Sequence, residues 1–138
     1  MIFISYIVFV IKLLLTIICC GVVGSNRHSA GHNVGFRTCS LVGIASLLIQ
    51  VVGINIGTDQ TRISGQFLTA IGFACSAVIF KQDQNVKGLT TSVSILTSVC
   101  IGISIGSGLI IETLISVILI ILILKDPFHI DKSKKGNT

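Results

Sequence analysis

Residues 59–91 read DQTRISGQFLTAIGFACSAVIFKQDQNVKGLTT. An acid and a base, Asp59 and Arg62, stand at the start. An apolar run carrying Gly65, Gln66, Thr69, Gly72 and Ser76 follows, then the polar break KQDQNVK, and Gly88-Leu89-Thr90-Thr91 opens another apolar run. The central run is about as long as a bilayer's hydrocarbon core is thick, at 1.5 Å of rise per helical residue. The stretch therefore reads as one membrane crossing and the beginning of the next.

Apolar runs of the same kind lie on both sides. Residues 1–24 form the first, interrupted by Lys12. No basic residue precedes it, so it reads as an uncleaved first helix, with Lys12 snorkelling or facing the bundle interior. Residues 25–37, SNRHSAGHNVGFR, make a polar connection. Further runs cover 39–56, 62–80, 89–105 and 109–124, with Gly106-Ser107-Gly108 as a tight turn between the last two. β-Branched residues abound, but run length and the lack of strict alternation favour helices over strands. The expected fold is all-α: a polytopic bundle of about five transmembrane helices over residues 1–125, and a short basic cytoplasmic tail over 126–138.

Composition agrees. Of 138 residues, 51% are hydrophobic and 11% charged, and the mean hydropathy is +0.97. A soluble domain carries about a quarter charged residues, so lipid is the solvent for most of this chain. The formal net charge of +5 has no basic stripe or aromatic platform behind it, and no nucleic-acid partner is expected. Numbering the polar segments alternately puts Arg27, Arg37, Lys81, Lys87, Lys125, Lys132, Lys134 and Lys135 on one side and Arg62 on the other. The positive-inside rule then gives an outside N-terminus and a cytoplasmic C-terminus. A four-helix count would break that segregation.

Few residues could carry chemistry. Asp59 or Thr61 can cap the third helix and Asp59 can pair with Arg62; the sharper alternative is an ionic mouth leading to Gln66 and Thr69. Glu112 lies about one turn inside the fifth run, either with Lys12 as partner or at headgroup level. Gly53-x-x-x-Gly57 and Gly102-x-x-x-Gly106, with Gly21 and Gly24, have helix-contact spacing. Cys19, Cys20, Cys39, Cys75 and Cys100 read as small buried hydrophobes rather than a metal or disulfide set. His28 and His32 sit in a glycine-broken loop without a third ligand. No nucleophile–base pair or phosphate loop is present, so no enzyme, cofactor or metal is expected.

Several blocks, in order and at consistent distances, resemble the membrane domain of the MgtC/SapB family. They are Gly21-x-x-Gly24-x-x-Arg27, Gly35-Phe36-Arg37-Thr38 with Leu41-Val42, Asp59-x-x-Arg62-Ile63, Gly72-Phe73 and Gly88-Leu89-Thr90-Thr91. The resemblance runs from Lys12 to about Leu124. It implies a bacterial inner-membrane protein linked to magnesium limitation, survival of pathogens inside host cells and restraint of the rotary ATP synthase. The family is often labelled a magnesium transporter. It frequently continues into a cytoplasmic ACT-like domain, which this chain is expected to lack. The sequence departs from the family pattern at Asn26, where an acid is usual, in Gly72-Phe73-Ala74-Cys75-Ser76-Ala77, where the family has GFLGAG, and at Leu96, where tryptophan is usual.

The resulting expectation is a non-enzymatic regulator of magnesium and energy homeostasis. It would act through the bilayer, through membrane partners such as ATP synthase, or as a homo-oligomer. The alternative is a small cation transporter or channel. By the resemblance, Arg27, Arg37, Thr38, Asp59, Arg62, Gln66, Thr90 and Thr91 are the polar functional candidates, and Gly21, Gly24, Gly72, Gly88, Gly102 and Gly106 the packing positions. Lys12 and Glu112 complete the set as intramembrane charges.

Overall fold

The computed structural model describes residues 2–29, 35–57, 59–77, 79–82 and 85–124. Five helices form: α1 (Ile2–Ser29), α2 (Phe36–Ile56), α3 (Gln60–Ser76), α4 (Leu89–Ser107) and α5 (Ile110–Leu124). A hairpin of two three-residue strands, β1 (Phe80–Gln82) and β2 (Asn85–Lys87), joins α3 to α4, with Phe80 opposite Lys87. The all-α expectation holds. Among the described residues, three helices, over 4–26, 36–56 and 89–107, are long and apolar enough to cross a bilayer by length and composition. α5 is the most apolar but has 15 residues, and α3 has 17 with a polar first half. At 1.5 Å per residue these two reach about 23 and 26 Å, short of the ~30 Å hydrocarbon core.

Boundaries differ from the sequence expectation in three places. α1 runs on through Ser29, because a helix satisfies its own backbone and can carry polar residues beyond the apolar zone. α3 ends at Ser76 instead of reaching Phe80, where the chain turns into the hairpin. The expected three-residue turn after α4 contracts to Gly108. This residue takes the left-handed conformation at φ 93° and returns its N–H to Ser104 O and Ile105 O, so only glycine fits without strain. His32 and the tail after Leu124 lie outside the described residues.

Side-chain contacts give the packing order. Lys12 meets Gly106, Cys20 meets Ser98, and Gly24 abuts Gly35, so α1 runs antiparallel to α2 and α4. Gly43 meets Gly102 and Gln50 meets Gly106, so α2 and α4 run parallel. Among the described glycines, Gly102 makes the closest approach to another backbone. A Cβ on Gly102 would fall under 3.0 Å from Ser46 Oγ and from the Gly43 carbonyl oxygen, and one on Gly106 would fall 2.8 Å from Gln50 Cβ. Without hydrophobic drive between helices in lipid, such backbone approach is what holds them together. Cys19, Cys20, Val23, Cys39, Leu47, Ile101, Ile105 and Val117 form the core cluster.

Most buried hydroxyls bond along their own helices, Ser40 Oγ being buried without a partner among the described residues. Thr16 donates to Lys12 O at 2.8 Å, Ser94 to Thr90 O at 2.8 Å and Ser98 to Ser94 O at 3.0 Å. One set crosses helices: Ser92 Oγ donates to Cys75 O at 2.9 Å and Cys75 Sγ to Ser92 O at 3.6 Å, clamping the end of α3 to the start of α4. Outside, large apolar side chains cover α1 and α5, among them Ile4, Ile11, Ile18, Ile111, Ile118 and Ile123. An apolar girdle of this extent belongs in lipid.

Candidate functional site

The bundle's polar chemistry concentrates where α2 ends, α3 begins and α4 ends. Gln50 is the hub, 4% exposed on the α2 face that meets Gly106. Its Nε2 donates to Ser107 Oγ at 2.9 Å and to Gln60 Oε1 at 3.4 Å, and its Oε1 accepts from Ser64 Oγ. One amide thus ties three helices. The bonds involve side chains on both ends, which is uncommon in proteins at large and suits a site where lipid offers no substitute.

Lys12 completes this end. Its Nζ donates to Gly106 O at 3.1 Å. Gly106 falls in the last turn of α4, where carbonyls have no intrahelical partner and the helix dipole is negative. The ammonium therefore caps α4 from α1. Of the two placements expected for Glu112, the pairing with Lys12 is not formed. Glu112 is exposed in the first turn of α5, beside a cleft of about 150 Å³ between α4 and α5, lined also by Thr97, Cys100, Ser104, Thr113 and Ser116. Cys100 is exposed there, unlike the other four cysteines, which are buried.

Asp59 accepts from the Thr61 backbone N–H at 3.1 Å as the N-cap of α3. Arg62 is exposed, and no salt bridge joins the two among the described residues. Asp59→Ala should lower stability by about 1 kcal/mol and Asp59→Asn by far less, because asparagine caps equally well. Thermal loss of helical circular dichroism in detergent checks both.

The remaining candidates lie elsewhere. Gln66 is exposed midway along α3. Arg37 and Thr38, exposed at the start of α2, share the opposite end of the bundle with Thr90, exposed, and Thr91, buried, at the start of α4. Arg27 belongs to the last turn of α1, and its side chain is outside the described set. Gly21 and Gly24 lie against Phe36 and Gly35. Gly72 has nothing within 4 Å of an added Cβ, and Gly88 is the left-handed N-cap of α4 at φ 88°. The Gly53/Gly57 pair likewise forms no close interface: Gly53 is in ordinary contact with Ile63, and Gly57 is the left-handed cap of α2.

Sequence reasoning missed Gln50, Gln60, Ser64 and Ser107. A signal for Gln50 was present: it is the sole glutamine inside the second apolar run. Nothing in sequence marks its partners, which come from two other helices. Among the described residues, no group of three or more His, Cys, Asp or Glu side chains gathers in a metal-binding arrangement.

The profile described as "MgtC family" matches residues 13–130 of the chain, spanning α1 to α5. The chain belongs to the MgtC family. Among its relatives is "Putative magnesium transporter YhiD" of Escherichia coli (strain K12), 36% identical over 73% of this chain and 52% of that protein. "Protein MgtC" of Brucella abortus (strain 2308) is 30% identical over 75% of this chain and 44% of that protein. The chain thus spans about half the length of the curated relatives it matches. No solved structure matches it. Within this MgtC-family bundle the polar junction has a defined capacity. It locks α2, α3 and α4 in register through neutral hydrogen bonds, with one ammonium bonded to backbone.

Proposed function

We propose that this MgtC-family chain is a non-enzymatic regulator in the bacterial inner membrane, acting on magnesium and energy homeostasis through membrane-protein partners. Residues 1–125 would form the membrane domain and 126–138 a basic cytoplasmic tail. The observation that carries this reading is the Gln50 junction, whose amide bonds Ser107, Gln60 and Ser64. Polar groups engaged with one another where α2, α3 and α4 meet support assembly rather than an open path. Arg27 and Arg37 at the opposite end from Asp59 and Arg62 support a cytoplasmic placement of that end.

ATP synthase is the partner we propose, by resemblance to the family's linkage. Inverted membrane vesicles test it through ATP-driven acidification. Vesicles containing the chain should acidify more slowly than vesicles lacking it, at equal ATP synthase content. Equal rates would remove ATP synthase as the target.

Cation transport is the second reading. It is favoured by the name of the Escherichia coli relative and by Glu112 at the hydroxyl-lined α4–α5 cleft, because a carboxylate and hydroxyls are the oxygen donors that hard cations take.

A further inference from the structure

α3 meets the rest of the bundle through one side. Cys75 is buried there against Ser92, and Ile63, Ser64 and Phe67 are half-buried. The opposite side presents Arg62, Gln66, Thr69 and Phe73, all exposed, with Phe73 83% so. Their spacing of four, three and four places them on one helical face. Gln66 lies about 9 Å along the helix from Gln60 at 1.5 Å per residue. At that depth lipid gives its amide no hydrogen bond, so an amide facing outward is costly unless another protein covers it. Beside this face, Gly65 and Gly72 have nothing within 4 Å of an added Cβ, leaving room for a second backbone.

We infer that this face of α3 packs against α3 of a second copy of the chain, parallel, about a twofold axis normal to the membrane. The charge pattern selects the occupant. Copies inserted in the same orientation meet at equal depth, so Gln66 faces its own counterpart, and an amide is both donor and acceptor. Asp59 and Arg62 lie one turn apart at the same end and form no salt bridge within the described chain. About a twofold axis, each Asp59 reaches Arg62 of the partner subunit, a self-complementary arrangement. This inference stands whether the chain regulates or transports.

Disulfide crosslinking in native membranes tests it. Thr69→Cys, in a Cys100→Ser background, should give a dimer of the chain on oxidation, whereas Ile118→Cys on the exposed face of α5 should not. Adding Gly65→Leu should abolish the Thr69→Cys dimer while leaving thermal stability unchanged or slightly raised, since nothing in the chain fills that space. Arg62→Asp or Asp59→Asn alone should lower dimer yield up to about fivefold, and Asp59→Asn preserves the helix cap. Coexpressing the two variants should recover part of the yield, because the mixed dimer regains one of its two ion pairs, between Asp59 of the Arg62→Asp chain and Arg62 of the Asp59→Asn chain. Equal crosslinking at Ile118→Cys, an unchanged dimer with Gly65→Leu, no recovery on coexpression, or crosslinking only to other proteins would each overturn the proposal.

Discussion

Gly102→Val should prevent the bundle from assembling. The valine Cβ alone would fall under 3.0 Å from Ser46 Oγ and from the Gly43 carbonyl oxygen. A hydroxyl can rotate away, but the carbonyl is α2 backbone, so α2 and α4 must separate along their closest contact. Gly43 cannot yield toward α1, because it already lies against Cys20 Sγ and Thr16. Overpacking ordinarily costs about 1–3 kcal/mol and more where no side chain can move. That is a large part of a total stability of about 5–15 kcal/mol. Loss of the monodisperse peak in detergent chromatography is the expected result. Gly72→Ala is the control: with open space at that position, it should be neutral or stabilising by up to ~1 kcal/mol, as glycine is a poor helix former.

Gln50→Leu should lower stability by about 2 kcal/mol. The side-chain volume is nearly kept, so little of the loss is packing. What is lost is the acceptor for Ser64 Oγ and the donors to Ser107 and Gln60. Individual bonds inside membranes average about 0.6 kcal/mol, but a buried group left without a partner costs about 1–3 kcal/mol. The orphaned Ser64 hydroxyl is therefore the larger part of the effect. Adding Ser64→Ala should recover some of the loss, giving a double variant less destabilised than the sum of the singles. Helical circular dichroism through a thermal ramp in detergent measures the cycle. Strict additivity would mean that the two side chains do not communicate.

The fold was legible because lipid demands one thing of a backbone, internal hydrogen bonding, and five apolar runs separated by polar breaks satisfy it with helices. Gly102-x-x-x-Gly106 could be read as a contact by its spacing, and the structure places both residues against α2. The same spacing at Gly53 and Gly57 means something different, because a glycine in a helix and a glycine ending one are indistinguishable in sequence. The site was less legible. Asp59 as a cap follows from its position before an apolar run, a local effect. The Gln50 junction depends on three helices meeting at one depth, and the capping of Gly106 O by Lys12 on a fourth contact between α1 and α4. A sequence read one run at a time carries no register between runs, so Lys12 looked toward the nearest acid instead of toward a helix end.

Magnesium flux tests the central claim, that the polar groups inside this bundle serve assembly and recognition rather than conduction. Purified protein reconstituted into liposomes holding a magnesium-sensitive dye, with helical content verified, should admit magnesium no faster than protein-free liposomes. Saturable entry that falls on substituting Glu112 or Gln50 by residues that keep the fold would contradict the claim and establish the chain as a transporter.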